Sequence, residues 1–364
     1  MTTMHVSPPL TDRADGLAER IFGATIGTLE LFSIHVGRRL GLYAHLADGR
    51  PRTVDEVAMQ CGVAPRYARE WLEQQAVAGF LDLAVDSDDA SLRRYRLADD
   101  HARVLADADD PLHVAPFSAA LAGIGQALPH VVDAYRTGDG VPYHLYGEDF
   151  RDGQGGINRP AFSRDLVETW LPALPDVHRR LMEGARVADV GCGVGFASLA
   201  VARAFPSSTV TGIDTDAGSI ADAQRQTPSE LADRLRFVTA DGADADRHGP
   251  FDLVLVLETL HDIGDPVAAL SGIRSSLADG GVVLVADERV AERYTAPGDE
   301  IERMMYGWSV TACLPAAVTD GGPGAVGTAI RPATVRRVAT EAGFGSVEVL
   351  PIENELFRFY RLEA

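Results

Sequence analysis

The chain has 364 residues and a formal net charge of −20, from 53 acidic side chains against 33 basic ones, and all 33 of those are arginine. Without lysine, Schiff-base chemistry, a Walker A phosphate loop and a protein-kinase site are excluded, and the acid excess opposes binding to a polyanion. With 46% apolar and 24% charged residues, the chain reads as an ordinary globular protein of two or three domains.

In chain order, the opening MTTMHVSPPLTDR lacks an apolar signal core, and no apolar run is long enough to cross a bilayer. A cytoplasmic protein with no membrane partner is expected. Residues 14–47 read as helical, with Leu17, Ile21, Phe22, Ile26, Leu29, Phe32 and Ile34 at helical spacing. That stripe is too broad for one surface helix. Either the chain's next domain or a second subunit covers it, and a homodimer is expected. Thr53-Val54-Asp55-Glu56 forms a capping box, and Gly62 suits a left-handed helix stop. A second helix from Pro65 is expected to bury Tyr67, Trp71, Leu72 and Val77. Two extended runs follow, Phe80 to Val85 and Tyr95 to Leu97. Helix, turn, helix and hairpin make a winged helix, which reads either as a DNA-binding module or as a packing scaffold. Residues 53–97 hold five arginines and eight acids, a net of −3, with Arg93, Arg94 and Arg96 of the wing the one feature favouring phosphate. No nucleic-acid partner is expected.

A long helix is expected over 113–135. The segment 137–160, TGDGVPYHLYGEDFRDGQGGINRP, reads as a loop, either a connector or a lid whose Tyr143, Tyr146 and Phe150 line a pocket. Helices resume over 160–182. The implied division is 1–110 winged helix and dimerisation, 111–182 helical linker and lid, and 183–364 the domain that carries the chemistry.

From Arg186, strands alternate with helices, which implies a parallel sheet with ligands at the carboxyl ends of its strands. The first strand ends in Asp189 and the glycine turn Gly191-Cys192-Gly193-Val194-Gly195. The second ends at Asp214 with Thr215 beside it, the third at Ala240-Asp241-Gly242, the fourth at Glu258, just before His261-Asp262, and the fifth at Asp287. The glycines read G-x-G-x-G rather than the dinucleotide G-x-G-x-x-G, and a carboxylate beside the loop would repel a pyrophosphate. It would suit S-adenosylmethionine, a sulfonium and ammonium cation. Asp214, 19 residues beyond Gly195, is placed to accept ribose hydroxyls, and Asp241 with Gly242 to meet the adenine amino group. Asp214 reads alternatively as a helix cap. Cys192 reads as a small residue in the loop. The three cysteines are scattered, no Asp-Asn pair follows the fifth strand, and the histidines lack zinc-protease spacing, so no metal site is expected. A later helix over 299–313 carries Met304, Met305, Trp308 and Cys313, which read equally as core or pocket wall. The glycine-rich loop 319–327 reads as a mobile connector.

Val-Ala-Asp-Val-Gly-Cys-Gly-Val-Gly (187–195), Gly-Ile-Asp (212–214), Ala-Asp-Gly (240–242), Phe-Asp-Leu-Val (251–254), Asp279-Gly280-Gly281 and Glu341-Ala342-Gly343-Phe344 stand in the order of the motifs of class I S-adenosylmethionine-dependent methyltransferases. With the winged-helix front half, the chain resembles the two-domain small-molecule O-methyltransferases of plants and actinobacteria. The resemblance implies a Rossmann-like α/β fold, its seven-stranded sheet closed by the hairpin Ser346 to Ile352 and Phe357 to Leu362. It implies S-adenosylmethionine as cofactor, held by Asp189, Gly191, Cys192, Gly193, Gly195, Asp214, Thr215, Ala240, Asp241, Gly242 and Glu258. In the plant-like enzymes a His-Asp pair after the fourth strand supplies the base and a Glu ending the fifth orients it; His261-Asp262 and Asp287 occupy those positions. A phenol with a pKa near 10 can pass its proton to a positioned imidazole. For His261, the alternatives are substrate orientation or a structural hydrogen bond. A small apolar acceptor is expected among Tyr143, Tyr146, Phe150, Phe162, Trp170, Met305 and Trp308. The competing readings are a cofactor-sensing transcriptional regulator and an NAD-dependent oxidoreductase.

Overall fold

The computed structural model describes residues 10–319, 322 and 324–364; the expectation for the first nine residues, and part of that for the 319–327 loop, lies outside the described residues. By their contacts the residues form two compact units, Met1–Ala122 and Gly123–Ala364. Residues 123–182, set apart in the sequence as linker and lid, thus group with the strand-bearing unit.

In the first unit, helices α1 (Leu10–Arg39), α2 (Leu42–Leu46), α3 (Val54–Cys61) and α4 (Pro65–Val77) precede a hairpin of β1 (Asp82–Val85) and β2 (Arg94–Arg96), then α5 (Asp99–Leu105). The capping box forms as expected: Glu56 Oε2 accepts the Thr53 N–H at 2.7 Å, and Thr53 Oγ1 accepts the Glu56 N–H at 3.3 Å. Gly62 ends α3 at φ 65°. Trp71 and Leu72 are buried, and Trp71 donates to the Ser33 carbonyl at 2.9 Å while its ring meets Tyr43 edge-on. Tyr67 and Val77 are a correction: they are 76% and 90% exposed. The buried face of α4 runs through Ala68, Trp71, Leu72 and Gln75, and Tyr67 and Val77 lie outside that row. The three wing arginines are engaged with carboxylates of the same unit, Arg93 with Glu73, Arg94 with Glu56 and Arg96 with Asp82. On α1 the apolar stripe stays open: Leu17, Ile21, Phe22, Leu29 and Phe32 are exposed, and Ile34 is buried.

The second unit carries a seven-stranded sheet of β3 (Arg186–Val190), β4 (Thr209–Asp214), β5 (Leu235–Thr239), β6 (Phe251–Leu257), β7 (Leu277–Glu288), β8 (Ser346–Val349) and β9 (Phe357–Glu363). The spatial order is β5-β4-β3-β6-β7-β9-β8, parallel except for β9, which runs antiparallel to both neighbours. The order reverses at β3, which pairs with β4 on one side and β6 on the other. Ligands bind at such a switch point, beyond the carboxyl ends of the strands. Both faces are covered: one apolar cluster includes Val187, Leu253, Leu284 and Phe359, the other Ala188, Val254, Val283 and Tyr360, alternating along the same strands. Before the sheet come α6 (Phe117–Thr137), α7 (Gly147–Pro160), a π-helical continuation over Ala161–Trp170, and α8 (Pro175–Glu183). The segment 137–160 is therefore mostly helix and not the loop expected. No helix among the described residues is long and apolar enough to cross a membrane.

Candidate active site

A cavity of roughly 460 Å³ opens beyond the ends of β3, β4, β5 and β6, within the range of ordinary small-molecule sites. Its floor is the glycine turn. Gly191 has φ 73° and lies against Thr259, where a Cβ would come within 2.4 Å of Oγ1; Gly193 has φ 52° with open space before it. Only glycine holds both positions without strain, and it lets the backbone meet a ligand directly. Gly195 is off the wall: it caps the following helix α9 (Phe196–Ala204) and packs on the Phe237 ring. Cys192, Thr215, Ala240, Asp241 and Gly242 line the cavity. Asp214 faces it too, and its two oxygens accept the N–H groups of Gly193 and Asp216, each at 2.8 Å. A carboxylate has about four acceptor sites, so two remain for a ligand. Burial raises the Asp214 pKa. Asp241 also caps the next turn through the Ala243 N–H. Asp189 is elsewhere than expected. It is buried, takes the Ser198 hydroxyl at 2.6 Å and is absent from the cavity wall; burial raises its pKa to about 6.

Just past Thr259, which touches Gly191, lies a row of acids around one imidazole. Asp262 is half-exposed on the cavity wall. His261 is fully buried behind it, with Nε2 3.2 Å from Asp262 Oδ1 and Nδ1 donating to Asp287 Oδ1 at 2.7 Å. Burial disfavours the imidazolium, but the carboxylates on its two sides outweigh that and hold its pKa well above 6.5. Asp287 Oδ1 also accepts the Glu288 N–H at 2.9 Å. Glu258 lines the cavity at φ 51°, the one non-glycine with positive φ among the described residues, and its Oε2 is buried without a hydrogen-bond partner. Burial raises its pKa and that of the neighbouring Glu288.

A further wall comes from α7 and the π-helical turn that continues it. Arg151, Gln154, Gly155, Asn158 and Phe162 line the cavity at spacings of three and four, one helical face. A Cβ on Gly155 would come within 2.5 Å of Val194, so this glycine lets α7 lie on the glycine turn. Arg151 Nε reaches Asp216 at 3.7 Å, and Asn158 hydrogen-bonds Glu258. Sequence reasoning missed the four polar and glycine positions of this face; only the spacing of 151, 154, 155 and 158 signalled it. Of the expected acceptor residues, Tyr143, Phe150 and Phe162 line the cavity. Tyr146 is buried behind Phe150, its ring 5.0 Å away. Trp170 packs in the core with Phe162, Phe357 and Phe359. Met305 and Trp308 are off the wall, in α12 (Glu300–Trp308); the residues of this stretch that reach the cavity come one to three turns later, Ala312, Cys313, Ala316 and Thr319.

Two family models match: a methyltransferase domain over residues 188–283 and an Rv2258c-like winged HTH domain over 28–107. A ubiquinone biosynthesis O-methyltransferase of Thiobacillus denitrificans is 30% identical over 189 residues, 51% of this chain and 76% of the relative. The chain belongs to the class I S-adenosylmethionine-dependent methyltransferases. A second ubiquinone biosynthesis O-methyltransferase, of a Caulobacter species, is 36% identical over 109 residues, 30% of this chain and 42% of its own. Across the first curated relatives the chain spans 24% to 67% of their length. Human N-acetylserotonin methyltransferase, solved with S-adenosylmethionine, shares the fold at TM-score 0.68 and 17% identity, over 99% of each chain. The methyltransferase's cofactor is S-adenosylmethionine, and the cavity fits it on two counts: Gly193 leaves open space at the turn, and Glu258 presents an unpartnered buried carboxyl oxygen to a cation.

Proposed function

We propose that this chain transfers a methyl group to the hydroxyl of a small aromatic or otherwise apolar acceptor, with the His261–Asp262 pair taking the proton. The observation that carries the reading is the row Asp262–His261–Asp287 running inward from the wall of the cavity that the glycine turn and Asp214 also line. S-adenosylmethionine supplies an electrophilic methyl group on a sulfonium when bound. Gly191, Gly193 and Asp214 would hold its ribose and methionine portions, Asp241 and Gly242 its adenine, and Glu258 its positive end. Tyr143, Phe150 and Phe162 would flank the acceptor ring and align its oxygen with the methyl. Asp262 accepts the hydroxyl's hydrogen bond; the proton then passes to His261 Nε2, while Asp287 fixes the ring and stabilises the imidazolium. A positioned base of this kind contributes about 10²–10⁴-fold. Asp189 has a structural role here, positioning the turn through Ser198.

The test uses methyl-labelled S-adenosylmethionine with a panel of phenolic acceptors. His261→Ala should lower kcat by about 10²–10⁴-fold and leave S-adenosylhomocysteine affinity unchanged; turnover within a few-fold of the parent contradicts the base. The exposed α1 stripe supports a homodimer in the same reading.

A further inference from the structure

Three metal-ligand types converge at the inner end of the cavity. The donor atoms of His261, Asp262 and Cys313 all lie within 4.8 Å of one another. Cys313 follows His261 by 52 residues, so no spacing motif announces it; the helical stretch after α12 brings it to the cavity wall, where Asp262 also stands. Two details mark the cluster as more than neighbours. First, Asp262 Oδ1 lies 3.2 Å from His261 Nε2, yet it is buried and receives no hydrogen bond. Tetrahedral bonds of about 2.0–2.3 Å place ligand atoms roughly 3.3–3.8 Å apart, so the two face each other as edges of such a site do. Second, His261 Nδ1 is already committed to Asp287 at 2.7 Å, the carboxylate–histidine arrangement that fixes a metal-binding imidazole with its other nitrogen free.

We propose that His261 Nε2, Asp262 Oδ1 and Cys313 Sγ form a three-ligand Zn²⁺ site whose fourth position opens into the cavity. The donor set selects the metal. Nitrogen, oxygen and sulfur together suit zinc, whereas magnesium and calcium require oxygen shells. Three protein ligands with one open position is the arrangement of reactive or exchangeable zinc rather than of closed structural sites. Closure needs about 1 Å of side-chain movement, within reach of a rotamer change at the half-exposed Asp262. The consequence rests on the proposed proton acceptor: zinc would occupy both His261 Nε2 and Asp262 Oδ1, so the metal-loaded chain is inhibited, and zinc regulates the site.

The full chain, stripped with a chelator and dialysed against Zn²⁺, should retain one equivalent. Co²⁺ in its place should give a thiolate-to-metal charge-transfer band, read on the parent protein without any variant. Cys313→Ser should abolish that band and weaken zinc roughly tenfold or more, and Asp287→Asn should weaken it about 10–100-fold. Substoichiometric zinc, no thiolate band, or undiminished zinc in Cys313→Ser overturns the site. Activity is read separately, as the ratio with and without zinc in each protein. Inhibition in the parent that disappears in Cys313→Ser supports the regulation. Stoichiometric zinc with the band but without inhibition overturns the regulation and the His261 base together, and leaves the site standing.

Discussion

His261 is gripped from both sides, Asp262 at 3.2 Å and Asp287 at 2.7 Å, and that grip sets how activity responds to pH. Its pKa is raised above 6.5, and only the neutral ring accepts a proton. Activity should therefore be lost as pH falls through the raised value, giving an acidic limb above pH 6.5. Asp287→Asn removes one of the two carboxylates and should move that limb to lower pH; a limb that stays in place contradicts the positioning role. For stability the sign is opposite: a raised histidine pKa stabilises the fold below the unfolded value and is lost as pH rises through the folded one. Glu258 acts in the other direction. Its carboxyl ionises later than an ordinary glutamate because burial disfavours the charge. Affinity for the cationic cofactor should rise as pH climbs past the usual glutamate range, and Glu258→Gln should flatten that slope, measured by calorimetry across pH 5 to 8.

Among the elements, α7 separates what sequence could show from what it could not. The glycine turn, Asp214 and the strand ends were legible because strand alternation and short glycine motifs are local signals. Helix α7 was not, since Gly147, Gly153, Gly155 and Gly156 argue against a helix on propensity. Packing overrides that preference: Gly155 brings α7 onto Val194, and Arg151, Gln154 and Asn158 gain the cavity. Gly155→Val should push the helix off the turn and weaken S-adenosylhomocysteine binding by tenfold or more, with the winged-helix unit intact by circular dichroism; unchanged affinity contradicts this role for α7. The same limit explains α12. Spacing grouped Met305 with Trp308, but which turn of a long helix meets the cavity depends on neighbours far away in sequence, and Ala312, Cys313, Ala316 and Thr319 are the residues that reach it. His261 was legible as a strand-end residue, whereas its burial behind Asp262 was not, because a side chain's direction within a tight turn is set by packing. At the capping box the signal was fully local, and Thr53→Ala should cost about 1 kcal/mol, read from denaturant unfolding.

For the whole molecule, the acid excess is now partly placed. Asp214, Asp241, Glu258 and Asp262 face one cavity suited to a cation, and the wing arginines are matched by carboxylates of the same unit. The stripe on α1, with Phe22 at 69% and Leu29 at 64% exposure, is an apolar surface of the kind that marks an interface. Sedimentation should give a dimer, and Phe22→Glu with Leu29→Glu should give a monomer; a monomeric parent removes the dimer. The central claim is that the switch-point cavity is built for S-adenosylmethionine and not for a dinucleotide. Titration calorimetry decides it most directly. S-adenosylhomocysteine should bind at one site per chain, Asp214→Asn should weaken it about 10–100-fold through lost charged hydrogen bonds, and NADH should give no binding heat. Saturable NADH binding, or S-adenosylhomocysteine binding indifferent to Asp214, would contradict the account.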